Sequence, residues 1–116
     1  MSKAIHKILI VDDDSDFAEH LAGLMPSHYQ VKTAYSPKKA MAHLTSYPFD
    51  SIVSDFVLAE YDGFEFLQSI RSLAHPPKVV FMTAFANKEM AISLLNLGVQ
   101  GLLEKPFSMA ALQLYA

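Results

Sequence analysis

Five polar side chains of this chain stand at the ends of short apolar runs. Three of them are carboxylates, one is a hydroxyl and one is an amine. Carboxylates beside a hydroxyl and an amine suit the binding of a hard cation and the transfer of a phosphoryl group. The residues are Asp12 and Asp13 after the run 8–11, Asp55 after 52–54, Thr83 after 79–82 and Lys105 after 102–103.

The apolar runs are too short and too uniformly apolar for half-buried antiparallel strands, so we interpret them as buried parallel strands. Strands are predicted at 7–11, 30–34, 50–54, 78–82 and 101–103, and the alternating pattern of 30–34 is typical of an edge strand. Helices are predicted at 15–25, 37–46, 64–73 and 88–97, and a last helix from Ser108 to Ala116.

Local signals support the predicted helices. Phe17 lies on the apolar stripe of the first helix, and Phe64, Leu67 and Ile70 are expected on the inner face of the third. Gly98 is expected to end the fourth helix. The predicted N-caps are Asp14 or Ser15, Ser36 and Asn87.

The alternation of strands and helices predicts an α/β fold with helices on both faces of a sheet. Its simplest form is a doubly wound, flavodoxin-like, five-stranded parallel sheet in the order 2-1-3-4-5. In such sheets the ligand crevice lies beyond the carboxyl ends of the strands. The five polar side chains are therefore expected to meet in one pocket.

Length and composition exclude several classes of protein. The 116 residues, 52% hydrophobic and 18% charged, predict a single domain over 1–116, although the short last helix would also fit a domain excised from a longer protein. No apolar run is long enough for a membrane span or a signal peptide, so we expect a cytoplasmic protein. The net charge of −3 without a basic run disfavours direct nucleic-acid binding.

The charge balance of the expected pocket predicts a bound cation. Asp12, Asp13 and Asp55 bring three negative charges and Lys105 returns one positive charge. Two carboxylates about 4 Å apart repel by roughly 4 kcal/mol at an effective dielectric constant near 20. A small all-oxygen ligand set with room for water and phosphate oxygens favours Mg²⁺ over Ca²⁺.

The same residues predict phosphoryl transfer to the protein itself. Asp55 is the candidate nucleophile, Lys105 would neutralise phosphoryl oxygens, and Thr83 would donate a hydrogen bond to one of them. The product would be an acyl phosphate. Its added charge could bias a two-state loop.

Four segments carry a family resemblance: ILIVDDD at 8–14, DSIVSDFVLAEYDG at 50–63, VVFMTA at 79–84 and GVQGLLEKPF at 98–107. Together they resemble the receiver domain of two-component response regulators, over nearly the whole chain. The resemblance implies a CheY-like fold and phosphorylation of Asp55 by a sensor histidine kinase, a histidine phosphotransfer protein or a small acyl phosphate. It also implies that Mg²⁺ is held by Asp12, Asp13, Asp55 and the backbone carbonyl of Val57.

The resemblance further implies a switch. Thr83 would take the switch role, Lys105 would pair with the phosphate, and the bond from Lys105 to Pro106 is expected to be cis. Leu102 stands where the family usually has Tyr or Phe, which leaves open whether a side chain there moves together with Thr83. Ala59 replaces a common proline and should loosen its loop slightly.

The family resemblance also implies an output face and a water route. Phosphorylation is expected to change the face formed by helix 4, strand 5 and helix 5, which could carry a homodimer. Phe85, Met90, Leu94 and Leu97 are candidate lining residues, and roughly half of them are expected to belong to the core instead. Val57 and Phe85 flank the route by which water would reach the acyl phosphate. Both are apolar, so we predict slow self-dephosphorylation that Val57→Asn or Phe85→Ala would accelerate.

Alternative functions stay open at this stage. Leu102 makes a phospho-independent adaptor, or pseudo-receiver, conceivable, and a phosphate-relay receiver of a hybrid kinase would need the same site. An aspartyl-phosphate phosphohydrolase is disfavoured because Val57 stands where such enzymes have a second Asp. We therefore expect a signalling switch and not an enzyme, with its cognate kinase and output unknown.

Overall fold

Five parallel strands form the centre of the structure. A computed structural model describes residues 5–57, 63–84, 87–105 and 111–112. The strands are hydrogen-bonded in the order β2-β1-β3-β4-β5, which confirms the predicted doubly wound sheet with β2 at an edge. Their bounds are His6–Val11 for β1, Tyr29–Ala34 for β2, Ser51–Asp55 for β3, Lys78–Thr83 for β4 and Gly101–Glu104 for β5.

Four helices connect the strands: α1 (Ser15–Leu24), α2 (Pro37–Ser46), α3 (Gly63–Arg71) and α4 (Lys88–Asn96). The side chains of Asp14, Ser36 and Asn87 cap α1, α2 and α4 by accepting hydrogen bonds from backbone N–H groups of the first turn. Gly98 follows α4 with a φ of +83°, a conformation that glycine adopts readily because it has no Cβ. These capping predictions are confirmed.

Residues 111 and 112 are helical. The rest of the predicted last helix, including Ser108, lies outside the described residues. No helix in the described part of the chain is long and apolar enough to cross a membrane.

Side-chain alternation along the strands divides the core into two clusters. On one face of the sheet, Leu9 and Phe81 belong to a cluster that includes buried residues of α2, α3 and α4. On the other face, Ile10 and Val53 pack with α1 and with Leu112. Burial of both faces explains why the runs 8–11 in β1 and 79–82 in β4 are apolar without interruption.

The predicted inner face of the third helix is wrong at one position. Phe64 is 38% exposed, whereas Phe66, Leu67 and Ile70 are buried. Because Gly63 at the start of α3 is also buried, the inner stripe follows the spacing 63, 66, 67 and 70.

Candidate functional site

The carboxyl ends of four strands bring the predicted side chains to one edge of the sheet. Asp12 and Asp13 directly follow β1, and Lys105 directly follows β5. Asp55 and Thr83 are the last residues of β3 and β4, so these strands extend one residue further than the sequence predicted. All five residues therefore lie at the edge where an open α/β sheet binds its ligand.

Backbone hydrogen bonds explain the longer strands. The N–H of Phe56 donates to the carbonyl of Met82 at 2.8 Å, which continues the pairing of β3 with β4 beyond Asp55. The N–H of Lys105 donates to the carbonyl of Thr83 at 2.7 Å and continues the pairing of β4 with β5. The backbone at this edge is thereby fixed on both sides of β4.

Three carboxylates form a cluster that could hold a metal ion. One oxygen from each of Asp12, Asp13 and Asp55 lies within 4.8 Å of the other two. Asp12 is buried with 1% exposure, Asp55 is half-buried and Asp13 is exposed. An ion could therefore approach from solvent on the side of Asp13. Three carboxylate oxygens fit a hard divalent cation that keeps water and phosphate oxygens as its other ligands.

Asp12 is held in place by the first turn that follows β1. Its Oδ1 accepts a hydrogen bond from the N–H of Asp14 at 2.9 Å, and its own N–H donates to the carbonyl of Ala34 at 3.1 Å. The Asp14 side chain instead caps α1, since its Oδ1 accepts from the N–H of Phe17 at 3.1 Å. Of the acidic residues at 12–14, Asp14 therefore has a structural role.

Lys105 supplies positive charge to the cluster. Its Nζ lies 2.9 Å from Asp12 Oδ2 and 3.7 Å from Asp55 Oδ2. Of these two carboxylates, only Asp12 is close enough for a hydrogen bond with Lys105. One ammonium group facing three carboxylates leaves a net negative site. The arrangement agrees with the charge imbalance that the sequence predicted.

The electrostatics of Asp55 reflect that imbalance. Burial raises the pKa of the Asp55 carboxyl above its ordinary value, and this effect exceeds the lowering by the Lys105 ammonium. Repulsion from Asp12 and Asp13 raises the pKa further, whereas the N–H of Val57, 3.4 Å from Oδ1, lowers it. The folded protein therefore disfavours the ionised form of Asp55, and a bound cation would relieve this conflict.

Phe17 lies at the site, although the sequence predicted it only as part of the apolar stripe of the first helix. The Nζ of Lys105 lies 4.2 Å from the centroid of its ring. The helix that follows the first strand of a doubly wound sheet starts beside the ligand crevice, so a residue in its first turn could have been suspected. The ring was not predicted to face Lys105 because that contact depends on tertiary packing.

Thr83 and Leu102 lie on the face of the sheet opposite to that of Asp55. Alternation along β4 puts Thr83, which is 2% exposed, on the side of Phe81 and of α4. Leu102 pairs with Phe81 in the sheet and packs against the same cluster. Asp55 instead pairs with Met82, which belongs to the cluster on the other face.

Helix α4 exposes apolar side chains, but not all those that the sequence suggested. Leu94 is fully buried and Met90 packs against the core, which agrees with the expectation that about half of the four candidate residues belong to the core. Ile92, Leu95 and Leu97 are 49%, 54% and 39% exposed. Within α4, Ile92 and Leu95 lie about one turn apart on the exposed side, and Leu97 directly follows the helix.

Several predicted features lie outside the described residues: Ala59, Phe85, and Pro106 with the cis bond expected before it. Val57 is described, and its side chain is 66% exposed at the rim of the acidic cluster. The contact of its N–H with Asp55 Oδ1 places Val57 itself beside the carboxylates.

Comparison with known proteins places this site in a family. The family model for the response regulator receiver domain matches residues 8–116. The chain belongs to this family. A receiver domain is the signalling switch of a two-component system, and the match covers every residue of the site described above.

Curated receiver-domain proteins resemble the chain along most of its length. It is 36% identical over 107 residues to the transcriptional regulatory protein ZraR of Salmonella typhimurium, covering 91% of this chain and 24% of ZraR. It is 34% identical over 105 residues to QseB of Haemophilus influenzae, covering 90% of this chain and 48% of QseB. The chain therefore spans about a quarter to a half of the length of these relatives.

Solved receiver structures share the fold. The chemotaxis response regulator CheY4 of Vibrio cholerae aligns with a TM-score of 0.86 and 27% identity, covering 97% of this chain and 100% of CheY4. The agreement confirms the CheY-like fold implied by the sequence.

Proposed function

We propose that this receiver domain is a phosphorylation-dependent switch in which Asp55 accepts the phosphoryl group. The observation that carries the proposal is the meeting of three carboxylate oxygens within 4.8 Å, with Lys105 Nζ 3.7 Å from Asp55 Oδ2. Asp12 is a poorer acceptor because it is buried and its oxygens bind Lys105 and the N–H of Asp14. Asp55 is half-buried, and its Oδ2 lies beyond hydrogen-bond distance of Lys105.

The chemical step is an in-line displacement at phosphorus. A carboxylate oxygen of Asp55 forms a bond to phosphorus while the bond from phosphorus to the donor breaks, and the donor leaves with the electron pair. The donor atom is the imidazole nitrogen of a phosphohistidine or the acyl oxygen of a small acyl phosphate. A short movement of Lys105 would bring its ammonium group from Asp12 onto a phosphoryl oxygen.

Mg²⁺ is the proposed cofactor. Asp12, Asp13, Asp55 and the carbonyl of Val57 would hold the ion, which supplies positive charge beside the phosphoryl oxygens when it is bound. The donor set supports this assignment because it is all oxygen and under-neutralised. The exposed Asp13 leaves the cluster open to ions from solvent.

The proposed output passes through the face of the sheet that carries Thr83. The hydroxyl of Thr83 would donate a hydrogen bond to a phosphoryl oxygen. The resulting movement of Thr83 would be transmitted to Leu102, which lies on the same face of the sheet. The exposed apolar stripe of α4 would respond and could form a homodimer with the same face of a second copy. The stripe consists of Ile92 and Leu95.

The proposed partners are a sensor histidine kinase or a histidine phosphotransfer protein in the cytoplasm. The relay receiver of a hybrid kinase would use the same chemistry, and more of a regulator could lie beyond this domain. A phospho-independent adaptor is the second candidate function, favoured by the packing of the non-aromatic Leu102 against the core. Binding of beryllofluoride with Mg²⁺, followed by a change of the α4 stripe, would argue against the adaptor.

Intact-mass measurement after incubation with acetyl phosphate and Mg²⁺ tests the proposal. The wild-type protein should gain the mass of one phosphate, and Asp55→Asn should gain none. Asp50→Asn is the matched control, because Asp50 directly precedes the opposite end of the same strand and its substitution should leave the mass gain unchanged. A wild-type protein that gains no phosphate, or an Asp55→Asn protein that gains as much, would contradict the proposal.

The exposed Val57 side chain leads to a second test of the same site. An amide at this position could hold water near the acyl phosphate, so Val57→Asn should speed the loss of phosphate after the donor is removed. The time course of intact mass measures this rate. An unchanged rate would remove the tuning role of Val57, and Phe85→Ala tests the neighbouring predicted position in the same way.

A further inference from the structure

We infer that Phe17 is a positioning residue whose aromatic ring holds the Lys105 ammonium group at the phosphorylation site. The inference rests on the proposed function of Asp55. Lys105 Nζ lies 4.2 Å from the ring centroid of Phe17 and 2.9 Å from Asp12 Oδ2. The ammonium group thus has an aromatic face and a carboxylate as neighbours, at the distances of a cation–π contact and a charged hydrogen bond.

The position of the ring is set by the same segment that supplies the first carboxylates. The N–H of Phe17 donates to Asp14 Oδ1 at 3.1 Å, and the N–H of Asp14 donates to Asp12 Oδ1 at 2.9 Å. The half-buried side chain of Phe17 also packs against the core cluster that contains Ala18 and Leu21. The ring is therefore a fixed surface and not a loose side chain.

The contact matters because a lysine side chain is long and flexible. Without a partner on its second side, the ammonium group of Lys105 would sample rotamers that reach solvent. The side chain is 21% exposed, and cation–π contacts strengthen when the cation is partly desolvated. With Phe17 and Asp12 both in contact, Nζ stays 3.7 Å from Asp55 Oδ2, close to the place where phosphoryl oxygens would arrive.

Substitution separates the aromatic contact from simple packing. Phe17→Leu keeps an apolar side chain but removes the ring, and it should slow phosphorylation of Asp55 by acetyl phosphate by about three- to tenfold. Phe17→Tyr, which restores an electron-rich ring, should recover most of the lost rate. Phe49→Leu removes a half-buried ring at the other end of the sheet and should react at the wild-type rate.

Nuclear magnetic resonance measures the contact without phosphorylation. Protons above an aromatic face are shielded, so the ε-methylene signals of Lys105 should lie upfield of those of other lysines, and Lys105→Met assigns them by their loss. Phe17→Leu should abolish the upfield shift, whereas Phe17→Tyr and Phe49→Leu should keep it. A residue that only supports the fold would not produce this pattern.

Progressive fluorination of the ring at position 17 tests the electrostatic origin of the effect. Each fluorine withdraws electron density from the ring face while nearly preserving its size, so the phosphorylation rate should fall stepwise from phenylalanine to the trifluorinated ring. This series also tests the role of Phe17 if the Phe17→Leu protein does not fold.

The outcomes distinguish the inference from the proposed function. A wild-type protein that gains no phosphate overturns the role of Asp55, and the Lys105 signals then still decide whether Phe17 holds the ammonium group. A wild-type protein that is phosphorylated, together with Phe17→Leu and fluorinated variants that react equally fast, overturns the role of Phe17 alone. Lys105 signals without an upfield shift overturn it as well.

Discussion

The two ends of the sheet accommodate acidic side chains in different ways. At the amino end, Asp50 is exposed, and its Oδ2 accepts a hydrogen bond from the N–H of Lys7 at 2.7 Å. At the carboxyl end, Asp12 and Asp55 are buried or half-buried, and Lys105 contacts both. The acid at the amino end caps a strand, whereas those at the carboxyl end are held together against their mutual repulsion.

This contrast indicates which end of the sheet carries the functional site. Burial and charge repulsion raise the pKa of Asp55, so keeping this carboxylate ionised in the cluster lowers the stability of the folded protein. Groups with such perturbed titration mark functional sites when they also line a ligand crevice. Matched substitutions at the two ends of the sheet test the contrast between Asp50 and Asp55.

The largest expected effect concerns packing beside the carboxyl end. A Cβ on Gly63 would overlap the ring of Phe56, which is itself held edge-on by Phe64 and Phe81 at centroid distances of 5.2 and 5.4 Å. Because the ring has little room to move, Gly63→Ala should lower the free energy of unfolding by about 2 kcal/mol. Urea denaturation measures this loss.

Gly23 is the matched control toward the other end of the sheet, in the last turn of α1. Among the described residues, no atom lies within 4 Å of a Cβ added at this position, apart from its chain neighbours and the nearby backbone of its own helix. Gly23→Ala should therefore raise the free energy of unfolding by about 0.5–1 kcal/mol, because alanine favours a helix interior. Equal effects of Gly63→Ala and Gly23→Ala on the free energy of unfolding would contradict this difference in packing.

The next effect concerns the affinity for Mg²⁺. Asp13→Asn removes one charge from the exposed side of the cluster and should weaken Mg²⁺ binding by about tenfold, or about 1.4 kcal/mol. Asp50→Asn should leave the affinity unchanged, because Asp50 is bonded at the opposite end of the sheet. Isothermal titration calorimetry distinguishes the two, and equal weakening would indicate nonspecific attraction by net charge.

The smallest effect is a difference in stability without metal. Asp55→Asn should raise the free energy of unfolding at neutral pH slightly, because it removes a disfavoured charge that solvent partly screens. Asp50→Asn should lower it by about 0.5 kcal/mol, because the bond to the N–H of Lys7 loses its charge. Denaturation in the presence of a chelator measures both.

The pH dependence of this difference has a definite sign. The pKa of Asp55 in the folded protein is raised above the ordinary value of 3.8, so the folded state binds this proton more tightly. The stability contributed by Asp55 is therefore fully present below pH 3.8 and lost as the pH rises through the raised pKa. The advantage of Asp55→Asn over wild type should grow across that window, and an advantage that shrinks with rising pH would contradict it.

The fold and the gathering of site residues were predictable because simple rules govern both. Strands buried on two faces are recognisable as uninterrupted apolar runs, and alternation with helices leaves few possible topologies. Asp12, Asp55 and Lys105 then converge because parallel strands end at one edge. The predictions for these residues needed no knowledge of side-chain packing.

Side-chain contacts that depend on packing could not be predicted in this way. Nothing in the sequence pattern indicates that Lys105 binds Asp12 more closely than Asp55, or that Phe17 faces its ammonium group. Phe64 and Phe66 are the same residue type, so only the face on which α3 packs against the sheet decides which is buried. Hydrophobicity alone likewise did not separate buried from exposed leucines on α4.

Chemical trapping of the phosphorylated residue is the most direct test that Asp55 accepts the phosphoryl group. Borohydride reduces an aspartyl phosphate to homoserine, and peptide mass spectrometry then locates the modified position. After treatment with acetyl phosphate and Mg²⁺, we expect homoserine at position 55 and an unmodified aspartate at positions 12 and 13. Homoserine at either of those positions, or a phosphorylated protein that yields none at 55, would contradict the account.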